Sequence, residues 1–369
     1  MGYNWQQTDW PNFTYNLLQA EDDLLLFAEK AGHISGILKT LPQSEQTEAI
    51  IEMMVYEAIK TSAIEGEFLS RQDVMSSIKN NFGLEEKLLP VKDKRAEGIG
   101  KIMVDVRNTY KSVLTTEQLF SWHIMLLGEA SKINVGQWRT HNEPMQVISG
   151  AIGREKVHFE APPSIRVSEE MEHFIQWFNE TMPGGSLEIK KSPVRAAIAH
   201  LYFETIHPFE DGNGRIGRAI AEKTLSQSMG RPVLLSLSRT IEANKKAYYH
   251  ALEQAQKSNE ITDWVTYFVK TTLDAQTQAE EEIDFILKKA KFFDRFKNEL
   301  NERQLAVVKR MLEEGSKGFE GGMDARKYIA LTRVSKATAT RDMQQLKDLG
   351  AFINWGDGKG RSTKYQVNI

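Results

Sequence analysis

Apolar residues along this chain of 369 residues recur mainly every three or four positions, the spacing that places them on one face of an α-helix. Long alternations of Val, Ile and Thr with polar residues are scarce. A mainly α fold is therefore predicted. The predicted helices cover 17–39, 45–61, 71–80, 93–113, 116–130, 168–181, 193–206, 214–229, 241–257 and 262–289.

The stretch 144–163 departs from the helical spacing. Its apolar residues are interrupted by Gly150 and Gly153, and Pro162 and Pro163 close it. Glycine and proline at these positions favour turns over helix. A short β-hairpin is therefore predicted here.

Charge and pattern both change near residue 295. The last 69 residues contain 13 Lys and Arg against 8 Asp and Glu, a net charge of +5, whereas the first 300 carry −8. Three helices followed by a two-stranded wing describe a winged-helix domain, which we expect over 296–369. The predicted helices are 305–312, 326–331 and 335–349, and the strands are 351–355 and 364–369, around a glycine-rich turn at 356–360.

Composition excludes several classes of protein. The chain has no cysteine, which removes disulfides, thiol nucleophiles and cysteine-ligated zinc, and suits a reducing cytoplasm. No apolar run approaches the roughly 18 residues that a membrane-spanning helix needs. The first residues lack the basic-then-apolar pattern of a signal peptide. With a formal net charge of −3, the whole chain is no polycation. We expect a soluble cytoplasmic protein without membrane contacts.

The segment 207–218 carries most of the functional information and reads His-Pro-Phe-Glu-Asp-Gly-Asn-Gly-Arg-Ile-Gly-Arg. Ser192 is the predicted N-cap of the preceding helix, with Pro193 in its first turn. That helix should end as it reaches His207, because the residue before a proline disfavours the α region. A new helix should then run to Met229. The imidazole is thereby expected at the end of one helix, close to the start of the next.

This arrangement suits a nucleotide polyphosphate. Gly212 and Gly214 flank Asn213 and permit positive φ, so successive backbone N–H groups can converge on an anion at a helix N-terminus. Arg215 and Arg218 are three apart and leave the same face of the new helix. Their planar guanidinium groups suit phosphate oxygens. The pattern therefore predicts a phosphate-binding site.

Two further side chains add chemistry to this site. Asp211 offers one hard oxygen ligand, which matches Mg²⁺, since Mg²⁺ takes one or two carboxylates and completes its shell with phosphate and water. His207 has an unperturbed pKa near 6.5 and can act as a general base at neutral pH. The residues thus predict a polyphosphate, Mg²⁺ and a base that deprotonates a nucleophile.

The segment 207–218 resembles the signature of the Fic family of AMP transferases, His-Pro-Phe-x-Asp/Glu-Gly-Asn-Gly-Arg-x-x-Arg, and matches every specified position. The similarity covers roughly 100–270 at the level of the domain. It implies a Fic helical core that moves AMP from ATP to a Ser, Thr or Tyr hydroxyl of a target protein, or of the chain itself, and releases pyrophosphate. The family also includes members that move UMP or phosphocholine, or that remove AMP, and members that form homodimers.

The resemblance implies a role for each residue of the motif. His207 would take the hydroxyl proton, Phe209 would anchor the loop in the core, and Asp211 would hold Mg²⁺. Arg215 and Arg218 would hold the β- and γ-phosphates. The implied nucleotide-binding residues are Asp211, Gly212, Asn213, Gly214, Arg215, Ile216, Gly217, Arg218, Tyr248 and Asn244.

Two neighbouring features fit the same picture, and each has a plainer alternative. The hairpin over 144–163 lies where the family has a flap that aligns the target segment by strand addition; without the motif, an ordinary edge hairpin would be the favoured alternative. Tyr248 and Tyr249 resemble an aromatic pair that borders the nucleotide base, whereas aromatic residues at helical positions more often belong to the core. His200 is expected to be a packing histidine, because its spacing from His207 is poor for zinc.

Residues 61–66 read Thr-Ser-Ala-Ile-Glu-Gly and resemble an inhibitory motif, Ser/Thr-x-x-x-Glu-Gly/Asn, found N-terminal to the Fic core in one class of the family. The resemblance implies that Glu65 pairs with Arg218 and occupies the guanidinium that should bind the γ-phosphate. Misplacement of a reacting group by about 1 Å can cost on the order of a hundredfold in rate. We therefore expect autoinhibition; the alternative is a helix-end carboxylate in solvent.

Three regions are expected: an N-terminal helical region with the inhibitory motif over 1–95, a Fic catalytic core over 96–290, and the winged helix over 296–369. A second class of function competes with AMP transfer, namely a DNA-binding regulator whose core senses a nucleotide. In the tail, Glu313, Glu314 and Asp342 dilute the positive patch, and a protein–protein module is an equal alternative. The candidate contacts to DNA phosphates are Arg333, Lys336, Arg341, Lys359, Arg361 and Lys364.

Overall fold

The computed structural model describes residues 2–84, 86–128, 133–149, 156–296, 298–315, 318–356 and 363–369. Within these ranges the fold is mainly α, with two small antiparallel sheets of two strands each, which confirms the predicted fold class. The chain divides into two compact units: Met1–Ser35 with Ile50–Thr277, and Gly36–Ala49 with Gln278–Ile369. None of the helices described has the length and apolar character needed to cross a membrane.

The described ranges contain fourteen α-helices, numbered here in chain order. The first seven are α1 (Glu21–Thr40), α2 (Gln43–Ile64), α3 (Arg71–Phe82), α4 (Lys94–Thr109), α5 (Thr116–Leu127), α6 (Val167–Glu180) and α7 (Ser192–Ile206). The others are α8 (Asn213–Met229), α9 (Leu237–Ala243), α10 (Lys245–Ala255), α11 (Thr262–Phe296), α12 (Glu302–Leu312), α13 (Ala325–Thr332) and α14 (Lys336–Asp348).

Helices α7 and α8 pack against each other within the first unit. Every residue of α7 is buried, as expected of a helix that is apolar nearly all round. The helix ends where predicted, with His207 in the left-handed region at φ 51°. The predicted N-cap is wrong: Lys191 occupies that position, without a side-chain capping bond, and Ser192 is already helical.

The prediction of one helix over 241–257 is also wrong, because α9 and α10 are separated at Asn244. Its backbone there has φ −136° and ψ 51°, which is not helical. Asparagine side chains compete for backbone hydrogen bonds and favour turns over helix interiors. Helix α9 begins at Leu237, before the predicted start at residue 241. The Ser236 hydroxyl explains this start, because it accepts a hydrogen bond from the backbone N–H of Arg239 and caps the helix.

The predicted hairpin is present as β1 (Gln146–Ser149) and β2 (Lys156–Glu160), which pair antiparallel with Val147 opposite Phe159. Phe159 is buried, and its ring lies 5.0 Å from that of Tyr3, so the hairpin packs against the N-terminal segment within the first unit. Gly150 and Gly153, on which the prediction was based, lie outside the described residues.

In the second unit, α12, α13 and α14 precede β3 (Phe352–Asn354) and β4 (Tyr365–Val367), which pair antiparallel. A hydrophobic core joins these elements, with Val308, Tyr328, Leu346 and Phe352 almost fully buried. Three helices and two strands thus follow one another in the predicted order. Lys359, Arg361 and most of the predicted turn between the strands lie outside the described residues, and the assignment to the winged-helix class stays a prediction.

Candidate active site

His207 lies at the C-terminal end of α7, where its left-handed backbone turns the chain into the following loop. Positive φ is uncommon for a residue other than glycine, so the surroundings must hold this conformation. Arg139 supplies that support: its Nε donates to the His207 carbonyl oxygen at 2.8 Å, and its Nη2 donates to the Ile206 carbonyl oxygen at 3.2 Å. Burial, followed by the Arg139 charge, lowers the pKa of His207 to about 4, so the imidazole is neutral at pH 7.

A buried carboxyl group accompanies this imidazole. Glu204 Oε2 lies 3.8 Å from His207 Nδ1, and the Glu204 side chain is only 6% exposed. Burial raises the pKa of Glu204 to about 8, so the group is mostly protonated at neutral pH. A Cβ atom added at Gly217 would lie 2.4 Å from Glu204 Oε1, which means that Gly217 is needed for packing between α7 and α8. Its neighbour Ile216 is fully buried in the hydrophobic core.

Asn213 closes the loop between the two helices. Its Oδ1 accepts a hydrogen bond from the Phe209 N–H at 2.9 Å, and its Nδ2 donates to the Phe209 carbonyl oxygen at 2.8 Å. Phe209 is fully buried. Gly212 has φ +86° as predicted, but the predicted positive φ at Gly214 is wrong, because Gly214 already belongs to the first turn of α8. The predicted anion site therefore comprises the N-terminus of α8 after a single left-handed glycine.

Arg218 is almost fully buried on α8 and contacts the end of α2. Its Nη2 donates to Glu65 Oε1 at 2.7 Å and to the Thr61 carbonyl oxygen at 2.9 Å, while its Nε donates to Thr61 Oγ1 at 2.7 Å. Burial by itself would lower the pKa of Arg218, and the Glu65 carboxylate more than offsets this, so the pKa is raised. A Cβ atom at Gly214 would lie 2.4 Å from Glu65 Oε1, so this glycine leaves space for the carboxylate.

Arg215 has a carboxylate partner that the sequence analysis did not identify. Its Nη1 lies 2.7 Å from Glu67 Oε2, and its Nη2 lies 3.6 Å from Asp211 Oδ1. The sequence signal was available, since an acidic residue follows Glu65 after a single glycine. The structure thus brings both arginines of the motif against one turn at the end of α2.

Comparison with known proteins classifies this region. A sequence model described as the Fic/DOC family matches residues 113–225, which include the whole 207–218 segment. The chain contains a Fic domain. A second model, described as a domain of unknown function (DUF4172), matches residues 3–84 and so covers α2 and the turn with Glu65 that follows it.

Relatives and solved structures agree with this assignment. Protein adenylyltransferase fic-1 of Caenorhabditis elegans is 28% identical over 158 residues, or 42% of this chain and 27% of that protein. Protein adenylyltransferase Fic of Nematostella vectensis is 23% identical over 227 residues, which are 61% of this chain and 48% of that protein. The chain therefore spans about a quarter to a half of the length of these curated relatives. A crystal structure of a Fic family protein from Desulfovibrio desulfuricans G20 shares the fold at a TM-score of 0.55 and 18% identity, over 97% of this chain and 98% of that one.

His123 is a second residue that the sequence analysis missed in the Fic domain. Its ring stacks on Phe209 with centroids 4.0 Å apart, and its Nδ1 accepts a hydrogen bond from the Gly136 N–H at 3.1 Å. Nδ1 must therefore be unprotonated, so Nε2 carries the hydrogen and donates to the Asp211 carbonyl oxygen at 3.2 Å. Burial lowers the pKa of His123 to about 4, which fits the neutral ring. His123 thereby fixes the loop that carries Asp211.

The remaining predicted contacts lie on or near α10. Tyr248 is 1% exposed and hydrogen-bonds His200 Nε2 at 2.7 Å, so both side chains are part of the core, as expected for His200. Asn244 is exposed between α9 and α10, and Tyr249 is half-buried beside Tyr248. None of the contacts described above for residues 207–218 involves Asn244. The adenine-binding roles of Tyr248 and Asn244 stay predictions.

Asp211 fits a magnesium ligand by its exposure and its donor chemistry. Its side chain is 61% exposed, and its Oδ1 accepts a hydrogen bond from the Gly212 N–H at 2.6 Å. Mg²⁺ is usually bound by one or two carboxylates together with substrate phosphates and water, so such a site needs no cluster of protein ligands. Among the described residues no group of three or more His, Asp or Glu side chains is placed to hold a metal by itself.

Proposed function

We propose that the Fic domain of this chain transfers AMP from ATP to a Ser, Thr or Tyr hydroxyl of a protein. The observation that carries this proposal is the neutral imidazole of His207 at the start of a loop that leads into the N-terminus of α8, with Arg215 and Arg218 on its first turns. Relatives named protein adenylyltransferase align with this chain and support the reaction class.

The proposed reaction follows from the chemistry of these groups. The phosphates of ATP bind the helix N-terminus and the two arginines, which stabilise negative charge. The hydroxyl oxygen of the substrate attacks the α-phosphorus while its proton passes to His207. The bond from the α-phosphorus to the bridging oxygen of pyrophosphate breaks, and pyrophosphate leaves. Asp211 would hold Mg²⁺, which supplies charge neutralisation of the phosphates when bound.

The Glu65–Arg218 ion pair supports an autoinhibited resting state. The guanidinium that should bind the terminal phosphate is already paired with Glu65 at 2.7 Å, and the Thr61 hydroxyl and carbonyl oxygen accept hydrogen bonds from two more of its N–H donors. ATP that enters this site loses a charge-assisted contact, and its α-phosphate is held in a poorer orientation for in-line attack.

The test is incubation of the Glu65→Gly protein with [α-³²P]ATP and Mg²⁺, alone and with cell lysate. We expect label on protein to rise at least tenfold over the unsubstituted chain. The matched control is the Glu65→Gly/His207→Ala protein, which should bind ATP but transfer no label. Mass spectrometry of the product identifies the transferred group, the acceptor residue and any self-modification. Equal labelling with and without His207 would exclude the proposed base.

A second candidate function, DNA binding through a winged helix in the second unit, is favoured by one group of contacts. Asp342 does not dilute the positive surface as expected: it is 3% exposed, and Arg303 and Tyr328 bind its carboxylate. Lys336 and Arg341 remain exposed on α14. A DNA complex should weaken steeply as salt rises, which a gel-shift series measures. Complexes that are insensitive to salt, or absent at low salt, would leave the protein–protein alternative for this unit.

A further inference from the structure

The turn after α2 places two acidic side chains close together on a rigid support. Gly66 adopts φ +83°, and the backbone N–H groups of Glu65 and Glu67 both donate to the Ser62 carbonyl oxygen, at 3.0 and 2.9 Å. The turn is thereby fixed to the last turn of α2. Residues 65 and 67 extend from it with only Gly66 between them.

The spacing of these carboxylates matches the spacing of the motif arginines. Glu65 pairs with Arg218 and Glu67 pairs with Arg215, each with an N–O distance of 2.7 Å. The Arg218 and Arg215 side chains are 1% and 3% exposed, so neither guanidinium is fully hydrated and each depends on its ion pair. Each arginine thus has its own carboxylate from this turn, and Arg215 Nη2 also lies 3.6 Å from Asp211 Oδ1.

Arg215 also retains a donor that is not used. Its Nε is buried and has no hydrogen-bond acceptor among the described residues. A buried donor without a partner is costly, and a phosphate oxygen at this position would satisfy it. The guanidinium is therefore suited to an additional anionic ligand, while its Nη1 is occupied by Glu67.

We propose that Glu67 is a second inhibitory carboxylate, which competes with a phosphate of ATP for Arg215 as Glu65 competes for Arg218. This inference rests on the proposed binding of ATP at α8 and names a further element of its regulation. Removal of Glu65 alone leaves Arg215 neutralised. Full affinity for the triphosphate therefore requires that both carboxylates leave their arginines. Both ion pairs break together if the turn at 65–67 moves away from α8.

The experiment measures ATP affinity by calorimetry in the presence of Mg²⁺, in a His207→Ala background that prevents turnover. Four proteins are compared: the parent, Glu67→Gln, Glu65→Gly and the double variant. We expect Glu67→Gln to raise ATP affinity roughly tenfold in either background, the effect of freeing one charge-assisted contact. Adenosine, which has no phosphate, should bind all four equally.

Two controls separate charge from folding. Glu52→Gln removes another paired glutamate of α2, whose partner is Arg71, and should leave ATP affinity unchanged. Glu67→Asp keeps the charge but shortens the side chain by one methylene, so it should raise ATP affinity even if Glu67→Gln folds poorly. Unchanged ATP affinity in both Glu67 variants, or an equal gain for adenosine, would overturn the inference. Absence of AMP transfer by Glu65→Gly with a normal Glu67 effect on ATP binding would refute the proposed reaction instead.

Discussion

At the scale of single residues, burial decides the protonation of the groups around α7. The imidazole of His207 loses hydration and lies near the Arg139 guanidinium, so its charged form is disfavoured. Burial, and not the nearby positive charge, disfavours the charged form of the Glu204 carboxyl, 3.8 Å away, since positive charge would favour it. A neutral base is therefore available to accept a proton at pH 7, although the same burial makes it a weaker base than an ordinary histidine.

We predict that the His207 imidazole titrates near pH 4 in the folded protein. Because its folded pKa lies below the unfolded value near 6.5, the unfolded chain takes up a proton that the folded chain does not. The contribution of this residue to stability is thus present above about pH 6.5 and is lost as pH falls towards 4. NMR of the histidine ring signals as a function of pH measures the value directly. Titration of His207 between pH 6 and 7 would contradict the prediction.

At the scale of elements, the position of α2 depends on contacts with α9. Glu57, 5% exposed on α2, accepts hydrogen bonds from the Ser236 hydroxyl and the Ser238 N–H, each at 2.9 Å, and also from the Ser238 hydroxyl. These donors belong to the first turn of α9, where N–H groups have no partner within the helix. The carboxylate therefore joins the start of α9 to the middle of α2, the helix that ends within the predicted inhibitory motif.

We predict that Glu57→Ala destabilises the protein and at the same time raises AMP transfer. Loss of the carboxylate leaves buried Ser238 donors without an acceptor, which costs about 1–3 kcal/mol. The end of α2 is then held less firmly against α8. Thermal unfolding and label incorporation from [α-³²P]ATP are measured together, with Glu52→Ala as the matched change on the same helix. A lower Tm without added transfer would show that α2 is not held in its inhibitory position by Glu57.

At the scale of the whole molecule, a ligand that binds only the folded state stabilises it by mass action. All the residues proposed to bind ATP belong to the first compact unit, so ATP should stabilise that unit. In the unsubstituted chain we expect the ion pairs at the end of α2 to oppose this effect, because on the proposed function they break before the phosphates bind.

We predict that Mg-ATP raises the Tm of the Glu65→Gly protein more than that of the unsubstituted chain. At a ligand concentration a hundredfold above Kd the gain is about 2.7 kcal/mol. Differential scanning calorimetry with increasing ATP measures it, and the Glu65→Gly/Arg218→Ala protein, which lacks the phosphate contact, is the control. Removal of Mg²⁺ with EDTA should reduce the shift. Equal shifts for Glu65→Gly and for the control would exclude Arg218 as a phosphate ligand.

The sequence by itself determined the elements and the motif, since both depend on local interactions. Apolar spacing located most helices, and the proline after His207 gave the end of α7. Local rules failed where two conformations were nearly equal. The break at Asn244 and the helical backbone of Gly214 were missed for this reason, because each residue tolerates both states.

Only the tertiary structure decided which charges meet and which groups lose water. Glu67 pairs with Arg215, and Asp342 is buried against Arg303, so both contacts join residues from different elements. The loss of hydration at Glu204 depends on how the elements pack. Electrostatic energy depends on distance and burial in the folded chain, and neither quantity can be obtained from residue order. For that reason the family resemblance indicated one carboxylate at these arginines, Glu65, whereas the folded chain also pairs Glu67 with Arg215.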